Sequence, residues 1–349
     1  MSPFRLIFPL MIALALFVAL AVSIDIPIGD VVSVLRGFPV IAMAGVIGAT
    51  AVFILLSALK WRMVVREVSG QGNGSQNWGF YLFYTSLGAA LSLVTTVHAS
   101  MAVSRAIGVK RHLGQSALSG AAGSLFEQLF DVGVLLQFAL AGFVTLAFGH
   151  GVFTWIALSI AFCVLSGGLL AVVSLFRQQL LPKLSRLPVR FNRKLSDLLQ
   201  WFAEPSALRI FSPGFVLGMY ALSLARYLVL MLRAFIVLWA VNAPVAWTDF
   251  PGAFSLVQLS KLISITPAGL GITEWTWSGI WLWMGYPIET TIPFILANRV
   301  FGSLSLIIVL AVVYLAAVLA PRVLASGEAT SSASSPTTPG GHPQNGTAG

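Results

Sequence analysis

The chain has 349 residues, of which 58% are hydrophobic and only 9% charged. A water-soluble domain carries about a quarter charged residues to keep its surface wet, so a soluble globular fold is excluded. The net charge of +9 would suit nucleic acid, but the Lys and Arg residues fall between long apolar runs; anionic lipid headgroups fit that placement, and no nucleic-acid partner is expected.

Apolar segments lie near residues 6–24, 38–59, 79–104, 115–148, 152–176, 211–241, 251–285 and 292–320. Each is long enough to cross about 30 Å of hydrocarbon. The first is longer than the apolar core of a cleaved signal and only Arg5 precedes it, so it reads as an uncleaved span. Cys163, the single cysteine, lies in the fifth segment and rules out an internal disulfide. Asn73 and Asn345 begin glycosylation triplets that read as chance matches.

Charge placement sets the topology. If every segment crosses once, the basic stretches 60–66 and 177–209 fall on opposite sides and the positive-inside bias drops to about two to one. If 79–104 and 251–285 instead enter and leave on one side, fifteen basic residues become cytoplasmic, Lys60, Arg105, Lys110 and Arg186 among them, and Arg36 alone stays outside. The predicted architecture is therefore all-α: a polytopic helical membrane protein with about six full spans and two re-entrant hairpins, both termini in the cytoplasm. Halves 38–148 and 211–320 then repeat one pattern upside down, as in transporters built from inverted repeats around broken helices, although any helical membrane protein can be cut into similar threes.

Between the halves, the basic segment 177–209 contains Phe191, Leu195, Leu198, Leu199 and Phe202 on one helical face. That stretch, 190–203, suits a helix lying on the cytoplasmic leaflet, or a linker helix packed on neighbouring loops. The end of the chain, 323–349, is rich in Ser, Thr, Pro and Gly and reads as a disordered tail after a membrane domain spanning 1–322.

The sharpest local signal is TPAGLGITE, residues 266–274. Pro267 lacks a backbone donor, and Gly269 and Gly271 permit angles that other residues resist, so a helix breaks there. Backbone freed at membrane depth must be buried or line a watery cavity. The helix restarting near Thr273 would point its amides at the break and favour an anion; a kinked helix without a ligand is the plainer reading. Charges at this depth are Glu127, Asp131 and Glu274 against Arg226, Arg233, Lys261 and Arg299. One positive charge is left over, which an anionic substrate group would match, or the set is structural ion pairs plus a snorkelling Lys261. Trp275, Trp277, Trp281 and Trp283 suit an interfacial aromatic belt, or a wall for lipid tails. His98, His112, His150 and His342 show no metal-ligand spacing and there is no phosphate-cradling loop, so no cofactor is implied.

These motifs resemble the transmembrane, flippase-like region of lysylphosphatidylglycerol synthases and their stand-alone relatives, which include membrane proteins associated with hopanoid biosynthesis. Pro267, Gly269, Gly271 and Glu274 follow the family's P-x-x-G-x-G-x-x-E pattern, Arg299 matches the arginine of the next span, and SLFEQLFD, residues 124–131, is similar to its E-R-x-x-D stretch. Gln128 replaces the usual arginine, and the first hairpin, Thr95 to Arg105, keeps the terminal arginine but lacks the Pro-Gly break and glutamate. The resemblance implies translocation of an anionic or modified lipid between leaflets of the plasma (inner) membrane. The implied site lies between the hairpins and draws on Arg105, Glu127, Asp131, Arg226, Arg233, Pro267, Gly269, Gly271, Glu274 and Arg299. No stretch of residues 1–349 resembles the aminoacyl-transferase domain of the full-length synthases, so aminoacylation of lipid is not expected of them. Two other classes stay open: an intramembrane transferase using Glu127 or Asp131 as base, and a non-transporting partner of lipid-synthesis enzymes.

Overall fold

The computed structural model describes residues 33, 36–68, 78–113, 117–148, 151–176, 212–263, 266 and 269–319. The first apolar segment, the amphipathic stretch 190–203, the tail, both glycosylation triplets and Pro267 lie outside them. Among the described residues the fold is entirely helical: α1 (Val40–Val68), α2 (Trp78–Leu91), α3 (Val97–Leu113), α4 (Ala117–Ala147), α5 (Val152–Leu175), α6 (Pro213–Ala240), α7 (Phe250–Ile263), α8 (Ile272–Trp283) and α9 (Ile288–Leu319). Five of these, α1, α4, α5, α6 and α9, are long and apolar enough to cross a membrane. The chain is a polytopic helical membrane protein.

The other four helices are short. At about 1.5 Å per residue, the 14 residues of α2 or α7 reach roughly 21 Å, well under a bilayer core. They pair as antiparallel hairpins. In α2–α3, a side chain at Gly88 would collide with Met101, Tyr84 packs on Gly108, and the Phe80 and His112 rings lie 5.4 Å apart. In α7–α8 the open end is tied shut. Gly285, at φ +85°, ends α8 with its N–H on the Leu282 carbonyl and the Tyr286 N–H on that of Trp281, a Schellman closure. Tyr286 is thereby aimed at Asp249, to which its hydroxyl donates at 2.7 Å. Burial and the neighbouring carboxylate push the Tyr286 phenol up, so it remains a donor at neutral pH.

The hairpins open on opposite faces. Helix α1 runs antiparallel to α6, with Gly45 against Ile236 near one face and Met63 against Gly218 near the other. Hairpin α2–α3 follows the end of α1, while α7–α8 follows the end of α6. At that second face Gly142 of α4 approaches the Gly252 carbonyl so closely that an added Cβ would sit 2.8 Å from it. Thr50 of α1 and Ser305 of α9 share a hydrogen bond of 2.8 Å where the two helices cross. The α1/α6 pair forms a base, α4 and α9 flank it, and the two hairpins border one cavity beside it.

Two expectations need correction. Lys60 and Arg105, counted above with the cytoplasmic basic residues, are 0% and 1% exposed in the interior. Each lies within a helix that runs past the end of its apolar segment, α1 to Val68 and α3 to Leu113. The tryptophans of α8 divide by helical periodicity. Trp277 and Trp281 are buried and stack at 5.3 Å in the main core with Phe250 and Phe294, whereas Trp275 and Trp283 are exposed. An aromatic belt describes only the second pair.

Candidate functional site

The two tips break their helices by different chemistry. At the second, Gly269 and Gly271 adopt φ of +70° and +79°, where a side chain is strained. The Gly269 N–H bonds the Thr266 carbonyl, and the Thr266 hydroxyl bonds the Leu270 carbonyl at 2.9 Å. Glu274, in the first turn of α8, turns back to accept the Gly271 N–H at 2.7 Å, so an internal carboxylate caps this N-terminus. The first tip has neither proline nor glycine. Its carbonyls are satisfied by hydroxyls instead, Ser92 to Ala89 at 2.6 Å and Thr95 to Leu91 at 2.9 Å. A run of Ser and Thr can open a helix because such side chains compete for backbone partners.

Between the tips lies a cavity of about 270 Å³. Leu93, His98 and Met101 line it from the first hairpin, and Gln258, Lys261 and Thr273 from the second. It brings together eight of the ten residues singled out from the sequence or close to them: Arg105, Glu127, Asp131, Arg226, Arg233, Glu274 and Arg299 on its wall, and Gly271 through its bond to Glu274. Gly269 belongs to the adjoining turn, and Pro267 is outside the described residues.

The charges fall into three groups. Glu127 and Asp131 are one turn apart on α4. Arg105 grips Glu127 through both terminal nitrogens, Arg226 binds Asp131, and Lys60 lies between, 2.6 Å from Asp131 and 3.7 Å from Glu127. Three cations thus share two carboxylates, joining α1, α3, α4 and α6. The Arg226 guanidinium also sits 4.5 Å above the Phe53 ring. In the second group Arg299 lies 3.5 Å from Glu274, which is 2% exposed. The third is Arg233 and Lys261, which form no ion pair or hydrogen bond among the described residues although both line the cavity. Around the cavity, six cations (Lys60, Arg105, Arg226, Arg233, Lys261, Arg299) therefore face three carboxylates.

Sequence reasoning missed Lys60, whose position near the end of an apolar run looks like a loop. It also missed His98, whose Nδ1 pairs with the Gln128 amide oxygen at 2.8 Å. The signal was there in hindsight: Gln128 stands one residue after Glu127, where the family places an arginine, and a neutral partner on the first hairpin fits that neutral substitution.

No curated protein and no solved structure matches the chain. Residues 7–312 match the family described as the lysylphosphatidylglycerol synthase TM region, which takes in all the described helices except the last seven residues of α9. With the broken helix, the following arginine and the paired α4 carboxylates converging on one cavity, the chain belongs to the lysylphosphatidylglycerol synthase transmembrane-region family.

Proposed function

We propose that the protein is a flippase-like transporter that moves an anionic or modified lipid between the leaflets of the plasma membrane, with both termini in the cytoplasm. One observation carries this reading: two hairpins that open on opposite faces place their tips around one cavity, largely apolar but lined by more cations than carboxylates. A charge at bilayer depth costs about 2.5–3.5 kcal/mol on insertion scales, so an excess of cations there calls for a function. A headgroup held between the tips is reached from either face by moving one hairpin, and broken helices meeting near mid-depth are a transporter design. The apolar part of the cavity lining, Phe53, Ala89, Leu230 and Leu306, suits the start of an acyl chain. A transferase using Glu127 or Asp131 as base is disfavoured because cations already hold both carboxylates.

The test is leaflet exchange of labelled lipid in liposomes carrying the purified protein. Glu274→Ala and Arg299→Ala should each abolish exchange while the protein still elutes as a folded, monodisperse species. Wild-type exchange in both variants would sink the site.

A further inference from the structure

The cavity's surplus charge is not spread evenly, and its location says what kind of headgroup fits. On the first-hairpin side, Lys60, Arg105 and Arg226 share Glu127 and Asp131. On the second-hairpin side, Arg299 is matched by Glu274, and Arg233 and Lys261 have no ion-pair partner among the described residues. The Arg233 Nε is buried without a hydrogen-bond partner, and the rest of its guanidinium lies over Gly302, where an added Cβ would come within 3.5 Å of it. Lys261 lies within electrostatic reach of Arg233 and Arg299, with Glu274 the one carboxylate whose charge acts on it. Two neighbouring cations on one cavity wall repel each other, so an anion between them gains strong charge-assisted hydrogen bonds.

Equally telling is what the cavity cannot offer. All three of its carboxylates are engaged, Glu127 by Arg105, Asp131 by Arg226 and Lys60, and Glu274 by the Gly271 N–H and Arg299. A headgroup bearing an ammonium would find no unengaged anion and would meet two unmatched cations.

We infer that Arg233 and Lys261 form a two-cation anchor for a doubly negative headgroup, a phosphate monoester or a diphosphate, and that the cavity rejects zwitterionic and aminoacylated headgroups. This inference rests on the lipid-transport reading above. Arginine supplies the planar fork that phosphate oxygens match, and lysine a mobile point charge that follows the second negative charge. A cavity of about 270 Å³ has room for such a headgroup.

Binding, not transport, tests it. Purified protein in detergent is titrated with phosphatidic acid, phosphatidylglycerol, phosphatidylethanolamine, lysylphosphatidylglycerol and inorganic phosphate, with intrinsic tryptophan fluorescence and native mass spectrometry as readouts. Phosphatidic acid should bind tightest. Arg233→Gln and Lys261→Gln should each weaken it by about tenfold, as expected for losing one charge-assisted contact, and the double variant by more. In the absence of lipid the double variant should melt no lower than wild type, since it removes two half-buried charges that have no ion-pair partner; that readout shows the variant is folded. An unchanged affinity in the double variant, or equal binding of phosphatidylethanolamine or lysylphosphatidylglycerol, would overturn the anchor. Inorganic phosphate binding as tightly as phosphatidic acid, and losing affinity in the same variants, would support the anchor and overturn its lipid ligand.

Discussion

Substituting the two members of the Arg105–Glu127 pair should have very unequal effects, although they share one contact. The wild-type cluster holds three cations and two carboxylates, a surplus of one. Arg105→Met leaves Lys60 and Arg226 against Glu127 and Asp131, which balances, and Lys60 is already 3.7 Å from Glu127 and ready to move closer. Glu127→Leu leaves three cations on Asp131 alone, a surplus of two, with Arg105 stranded at 1% exposure. Removing the partner of a buried charge costs about 3–5 kcal/mol, whereas replacing a buried ion by an apolar side chain that leaves no orphan is close to neutral. Glu127→Leu should therefore lower the melting temperature by roughly 10 °C, on the scale of about 2–4 °C per kcal/mol for a domain of this order of size, and Arg105→Met by a few degrees at most. The double variant restores a surplus of one and should melt closer to wild type than Glu127→Leu alone. Thermal melts followed by fluorescence-detected size exclusion in one detergent give all four corners of the cycle. Equal losses for the two single variants, or additive losses in the double, would refute the reasoning.

Cysteines placed at Lys110 and at Asn242, in an otherwise cysteine-free background, should react with a membrane-impermeant reagent from opposite sides of intact cells; labelling from the same side would mean that the hairpins do not open on opposite faces. Gly271→Ala places a side chain at φ +79° and should cost about 1–2 kcal/mol, read as a lower melting temperature, while Gly279→Ala, where an added Cβ meets nothing, should change little. By hydrogen exchange, the amides of residues 92–96 should exchange faster than that of Gly271, whose N–H is held by a buried carboxylate.

The sequence made the second hairpin legible because Pro267, Gly269 and Gly271 carry a helix break in their covalent chemistry, independent of any neighbour. The first hairpin was found by another route, the distribution of Lys and Arg, because Ser92 and Thr95 break a helix only where the surroundings let their hydroxyls turn back to the chain. The same distribution misplaced Lys60 and Arg105. A basic residue at the edge of an apolar run looks cytoplasmic until its partner is known, and the partners, Asp131 for Lys60 and Glu127 for Arg105, are 71 and 22 residues away. Trp277 and Trp281 were hidden for a related reason: alternating tryptophans in an apolar segment show which side chains share a face, but not whether that face meets lipid or protein.

The two tips also differ in stiffness. Gly269 and Gly271 sit in a conformation that cannot be continued into a helix, and Glu274 clamps the turn, so winding it up would mean rebuilding the backbone. The bonds across Ser92–Thr96 are instead those of a loosened helix, spanning three or four residues each, so a turn there can rewind without passing through a forbidden geometry. In the transport reading proposed above, any rocking that turns the cavity from one leaflet to the other would therefore be carried by the first hairpin, with the second acting as the fixed jaw.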